Sequence, residues 1–187
     1  MNYNPNTTHL SILWCKYPGS PHETFRKACK IDIIMQLALL GFIHWTKSLH
    51  PEVKEILSVQ MPICVGFLIW AYYLQQKCPA DHTTRMPEVF KNSALIYGWA
   101  KLIYNGLVLM MFAGFIVVLM YGTFNFWRHP PTGYGGILAL VVLLIFLIVA
   151  SVQGLFFAVQ FQLGRNILKA TRTMDFAEVI QDTEIAQ

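Results

Sequence analysis

The longest strongly apolar stretch of the chain, residues 137–161, most constrains its fold. It reads ILALVVLLIFLIVASVQGLFFAVQF, 25 residues with no charge and only Ser151, Gln153 and Gln160 as polar side chains. A helix of this length measures roughly 38 Å, which exceeds the ~30 Å hydrocarbon core of a bilayer. A helix on the surface of a soluble domain keeps one polar face, and this stretch has none. It therefore predicts a transmembrane helix.

The rest of the chain is nearly as apolar. Of its 187 residues 55% are hydrophobic and 13% charged, whereas a soluble domain carries about 25% charged residues. We expect an all-α, polytopic membrane protein with four transmembrane helices, at about residues 29–46, 56–75, 98–124 and 136–163 of a single domain (29–163). A polar N-terminal arm (1–28) and an amphipathic C-terminal tail (164–187) flank it.

The basic residues predict how these helices are oriented. Four spans put both termini on one side, and eleven of the 14 Lys and Arg residues then fall on that side. Only Lys47, Lys54 and Arg128 fall on the other. Short loops rich in Lys and Arg stay on the cytoplasmic or matrix side. We therefore expect the N- and C-termini on the same, inside, face.

Two sets of residues are typical of membrane helices. Small residues four apart let another helix backbone approach closely; in the fourth span these are Ala150, Gly154 and Ala158, with Ser151 beside them. Aromatic side chains near span ends are typical of the membrane–water interface; here they are Trp45, Trp70, Tyr73, Trp99 and Trp127.

Two polar stripes lie at the inner ends of the first and third spans. Asp32 and Gln36 share one helix face, and Lys101 and Asn105 share another. Charges inside a membrane are costly and are usually paired, so one hypothesis is an Asp32–Lys101 ion pair with Gln36 and Asn105 completing the hydrogen bonds. The alternative is that both charges sit at the interface, with Lys101 extending to the headgroups.

No catalytic or metal-binding constellation is recognisable in the sequence. It carries no GxSxG or HExxH motif and no paired carboxylates in a span. The four cysteines lack ligand spacing, and the histidines are not placed to hold a haem. We expect no catalytic residue, no metal and no cofactor, although bound lipids are compatible with the pattern, and we expect no nucleic-acid partner.

These observations favour a non-catalytic accessory or scaffold subunit of a large membrane protein complex, which contacts other membrane subunits and the bilayer. The acid-poor N-terminus and basic inner face favour an energy-transducing complex, respiratory or ATP synthase, of the mitochondrial inner membrane. The alternatives are a small membrane transporter or channel subunit, and a tetraspan protein of the endoplasmic reticulum.

Overall fold

The computed structural model describes residues 8–12, 15–49, 54–78, 87–128 and 134–185. Its helices are α1 Pro21–Leu49, α2 Lys54–Lys77, α3 Glu88–Arg128 and α4 Tyr134–Ile185. A hairpin of two antiparallel strands, β1 Thr8–Ile12 and β2 Cys15–Gly19, precedes them. The first seven residues of the predicted arm and the last two of the predicted tail lie outside the described residues.

Three of the described helices are long and apolar enough to cross a membrane. The qualifying segments are Pro21–Thr46, Glu88–Arg128 and Gly135–Met174. The prediction of an all-helical protein with membrane-spanning helices is therefore confirmed for three helices. The second helix, α2, is shorter and less apolar and contains Pro62, so the predicted second span (56–75), and with it the total of four spans, is not confirmed.

The helices are longer than the sequence predicted. Helix α1 begins at Pro21, eight residues before the expected start at residue 29. Proline is favoured in the first turn, where its missing N–H is not needed, and Ser20 caps the helix by accepting a hydrogen bond from the Glu23 N–H at 3.2 Å. The predicted N-terminal arm therefore ends at the hairpin.

The predicted C-terminal tail is the continuation of α4 and not a separate segment. No proline occurs after Pro131, so nothing in the sequence forces the helix to stop near residue 163. Leu163, Ile167 and Met174 are buried. Over these turns the tail packs against the rest of the protein along one face.

The chain forms two compact units, which divide it differently from the predicted domains. Unit 1 comprises residues 1–102 and 162–187, and unit 2 comprises residues 103–161. In unit 1 the buried side chains of α1 recur every three or four residues, from Phe25 through Cys29 and Asp32, as expected for one face of a helix. In unit 2 the rings of Phe112 and Phe157 stack with centroids 5.6 Å apart.

The side chain of Asn166 links the N-terminal hairpin to α4. Asn166 donates from Nδ2 to the Ser11 carbonyl oxygen at 2.7 Å and accepts from the Ser11 N–H at 3.3 Å. The amide thus satisfies both backbone groups of one strand residue, as a neighbouring strand would. Leu10, beside it, is buried.

Candidate functional site

The two charges singled out in the sequence meet in the interior of unit 1. Asp32 of α1 and Lys101 of α3 are both 0% exposed. The Asp32 Oδ1 forms a salt bridge with the Lys101 Nζ, and the Asp32 Oδ2 accepts a hydrogen bond from the Tyr97 hydroxyl. Both carboxylate oxygens therefore have a partner, and Lys101 does not extend to the surface.

A third helix closes this cluster through Phe67 of α2. The Lys101 Nζ lies 5.3 Å from the centroid of the Phe67 ring, a cation–π geometry that contributes about 2 kcal/mol when the charge is desolvated. The Tyr97 hydroxyl lies 3.4 Å from the Phe67 carbonyl oxygen. We call Asp32, Phe67, Tyr97 and Lys101 the buried ion-pair cluster; it joins α1, α2 and α3.

Trp70 supports the cluster from α2. Its indole N–H donates to the Ser93 Oγ at 2.9 Å, and its ring meets the Tyr97 ring edge-on at a centroid distance of 5.4 Å. Trp70 is half-buried, and its interfacial position stays a prediction. The other predicted interfacial aromatics, Trp45, Tyr73, Trp99 and Trp127, are exposed, as such a position requires.

Two glycines bring α3 and α4 together next to Lys101. A Cβ on Gly98 would lie 2.6 Å from the Leu168 Cγ, and one on Gly164 would lie 3.0 Å from the Lys101 Cβ. Only residues without a side chain permit this approach. Sequence reasoning missed both positions. It considered small residues four apart only in the fourth predicted span, whereas Ala94 and Gly98 have this spacing in α3, and Gly164 has no small residue four positions away.

Gln36 and Asn105 are also buried, each one turn beyond its charged neighbour on the same helix. Both make interactions within the protein. That they complete the hydrogen bonds of the ion pair stays a prediction.

The small-residue face of α4 is only partly used inside unit 2. Ala150 is 2% exposed, whereas Ser151 is exposed and Gly154 and Ala158 are partly exposed. A Cβ on Gly154 would meet no atom within 4 Å. One turn of this face is therefore available for contact with another molecule.

The cysteines differ in access. Cys29, Cys64 and Cys78 are buried and free, and Cys15 is exposed. Burial raises the pKa of the Cys78 thiol to about 11, partly offset by the nearby charge of Arg26. At neutral pH the Cys78 thiol is therefore protonated and unreactive.

The buried ion-pair cluster links three helices. A buried carboxylate whose two oxygens are both bonded, beside a buried ammonium, fixes the positions of three helices and has no contact with solvent. Within the described residues, no group of three or more His, Cys, Asp and Glu side chains could hold a metal ion.

No family model matches the chain, and neither a curated protein nor a solved structure matches it.

Proposed function

We propose that this protein is a non-catalytic subunit of a larger membrane assembly, which it helps to hold together by packing against other membrane proteins. The open turn of α4 at Gly154 carries the proposal. Association in lipid depends on close backbone contact between helices, and small residues make that contact possible. Gly154 has no close neighbour in its own chain and lies on a face rich in small residues. A helix from another chain could therefore approach closely at this position.

The interior of unit 1 supports a structural role. Burial of an ion pair is costly, and each charge here is compensated by groups of the same chain. A membrane transporter would expose such charges to a water-filled path, and a membrane enzyme would expose them to a substrate. Here Asp32, Tyr97 and Lys101 are all buried.

We further propose that α2 also crosses the membrane, so that the protein has four spans with both termini inside. Since Lys101 is buried, ten other Lys and Arg residues remain on the proposed inner side, against three on the other, and this bias still predicts the orientation. Apolar side chains of α2, among them Val59 and Ile69, are exposed, as a helix facing lipid requires.

The proposed setting is an energy-transducing complex, respiratory or ATP synthase, of the mitochondrial inner membrane. It is supported by the N-terminal region, which holds four basic residues and only one acidic residue, Glu23, within residues 1–31. An endoplasmic-reticulum tetraspan is the alternative setting. Fractionation of tagged protein between mitochondrial inner-membrane and microsomal markers distinguishes the two.

The experiment that tests the packing role compares two glycine substitutions. Gly154→Leu fills the open turn of α4, and Gly114→Leu adds the same side chain on α3, where a Cβ would also meet no atom within 4 Å. Neither change should destabilise the isolated protein. Native gel electrophoresis of mild-detergent extracts should show wild type and Gly114→Leu in a large assembly and Gly154→Leu mainly free.

Wild-type protein that migrates as a monomer in such extracts would contradict the proposal. Solute movement catalysed by the purified protein alone in liposomes would replace it with a transport function.

A further inference from the structure

Three cations form a stripe on α4 directly after its apolar run. Arg165, Lys169 and Arg172 are exposed, and their spacing of four and three residues places them on one helix face. None of them forms a salt bridge with another described side chain. The guanidinium of Arg172 lies 6.0 Å from the centroid of the Trp99 ring, on α3. We call Arg165, Lys169, Arg172 and Trp99 the basic–aromatic patch.

The contact between α3 and α4 places this patch at the edge of the apolar segments. Arg165 is the first charged residue after the run 137–161, and Trp99 lies three residues before the uncharged run 102–127 begins. A Cβ on Gly98 would lie 3.3 Å from the Gly164 carbonyl oxygen, so these two borders meet at one level of unit 1. Tryptophan prefers the headgroup region of a bilayer. The Trp99 side chain, at this border of the apolar segments, is 49% exposed.

The sequence before and within the patch is free of opposing charge. No Asp or Glu occurs between residues 89 and 174. The acidic residues of the chain's end begin at Asp175, after the last cation of the patch. The helix therefore presents its positive charges in the turns nearest the apolar run, where lipid phosphates lie.

From this placement we infer that the basic–aromatic patch binds the headgroup of an anionic phospholipid in the leaflet that surrounds it. Arg165, Lys169 and Arg172 supply charge and hydrogen-bond donors for phosphate oxygens, and Trp99 fixes the depth of the site. Each cation near an anionic surface strengthens binding roughly five-fold. The inference rests on one part of the proposed function, that the protein is inserted in a membrane. It does not depend on assembly with other subunits.

The test uses the full chain in nanodiscs of phosphatidylcholine and phosphatidylglycerol, with the lipids retained on the protein counted by native mass spectrometry. The patch variant Arg165→Gln/Lys169→Gln/Arg172→Gln is compared with a control, Lys16→Gln/Lys30→Gln/Lys77→Gln. The control removes the same charge from three exposed positions on the same proposed side of the membrane. All six positions are exposed, so thermal unfolding should show both variants folded.

Wild type and control should retain phosphatidylglycerol in preference to phosphatidylcholine, and the patch variant should lose at least about tenfold of that preference. Equal preference for phosphatidylglycerol in the patch variant and the wild type would overturn this inference and leave the proposed function standing. The same result is expected if the patch binds an acidic polypeptide and not a lipid. A wild-type chain that does not enter nanodiscs would overturn both this inference and the proposed membrane role.

Discussion

Asp32 and Lys101 illustrate how much a single pair of side chains decides in this protein. Removing a charge from water costs several kcal/mol per ion, and the attraction between the two charges recovers this only with good geometry and satisfied hydrogen bonds. Tyr97 supplies the second partner of Asp32, and the ring of Phe67 faces Lys101. The pair therefore specifies which helices lie together more than it adds net stability.

The first prediction compares single and double removal of the charges. Lys101→Met should lower the free energy of unfolding by about 3–5 kcal/mol, because Asp32 is left buried without its partner. The double variant Asp32→Asn/Lys101→Met should lose clearly less. Unfolding in non-ionic detergent measures both, with Lys30→Met, at an exposed position of α1, as the control. Equal losses in the single and double variants would show that the two charges do not compensate each other.

The second prediction concerns the Cys78 thiol, whose pKa is raised to about 11 by burial. Below the unfolded pKa of about 8.5 the thiol is protonated in both states and does not affect stability. As the pH rises towards 11, the unfolded chain releases the proton first, so the free energy of unfolding falls. Cys78→Ala should show a smaller fall between pH 8 and pH 11. Parallel curves for the two proteins would contradict this.

At the scale of helices, the close approach of α3 and α4 is the least tolerant feature. It depends on Gly98 and Gly164, where an added Cβ would lie within 3.3 Å of backbone or side-chain atoms of the other helix. A glycine inside a helix costs up to about 1 kcal/mol relative to alanine. The contact between the two helices offsets that cost, because it allows Leu168 and Lys101 to be buried in the core.

The third prediction tests this contact. Gly98→Ala should lower the free energy of unfolding by about 1–3 kcal/mol, since its Cβ would lie 2.6 Å from the Leu168 Cγ. Adding Leu168→Ala should recover part of the loss by removing the clashing atom. Gly106→Ala is the matched control: its Cβ would lie 3.5 Å from the Phe161 ring, an ordinary contact, so it should be neutral or slightly stabilising. Similar losses at Gly98 and Gly106 would show that steric crowding is not the cause.

At the scale of the whole molecule, α2 decides how many times the chain crosses the membrane. This helix has 24 residues and measures about 36 Å, more than the ~30 Å hydrocarbon core, but it contains Pro62 and is not among the helices that qualify as spans. A hairpin of α1 and α2 that enters and leaves by the same face is therefore the competing arrangement.

The fourth prediction separates these arrangements by labelling with a membrane-impermeant maleimide in sealed vesicles. Cys15 is the exposed thiol among the four cysteines, so the wild-type chain reports the side of the hairpin. Lys169→Cys and Glu55→Cys, each in a Cys15→Ala background, report α4 and the start of α2. Four spans require Cys15 and Lys169→Cys to label from one side and Glu55→Cys from the other.

Two other labelling patterns would contradict four spans. Cys15 and Lys169→Cys on opposite sides would mean three crossings. All three positions on one side would mean that α1 and α2 do not cross.

Much of the architecture followed from the sequence alone, for a local physical reason. A run of 25 residues without charge can satisfy its backbone groups in lipid only as a helix. The same reasoning placed Asp32 and Lys101 on polar stripes of two helices. It could not choose between an ion pair and two interfacial charges, because both fit the same spacing.

Only the tertiary structure decided which residues meet. The Asp32–Lys101 pair joins positions 69 residues apart, and the Ser11–Asn166 hydrogen bonds join positions 155 apart. Such contacts depend on the rotation and register of packed helices, which a local pattern of polar and apolar residues does not specify. The same is true of Gly98 and Gly164, whose lack of a side chain matters only because two helices cross there. Composition therefore determined that this chain enters a membrane, and packing determined how its buried charges are compensated.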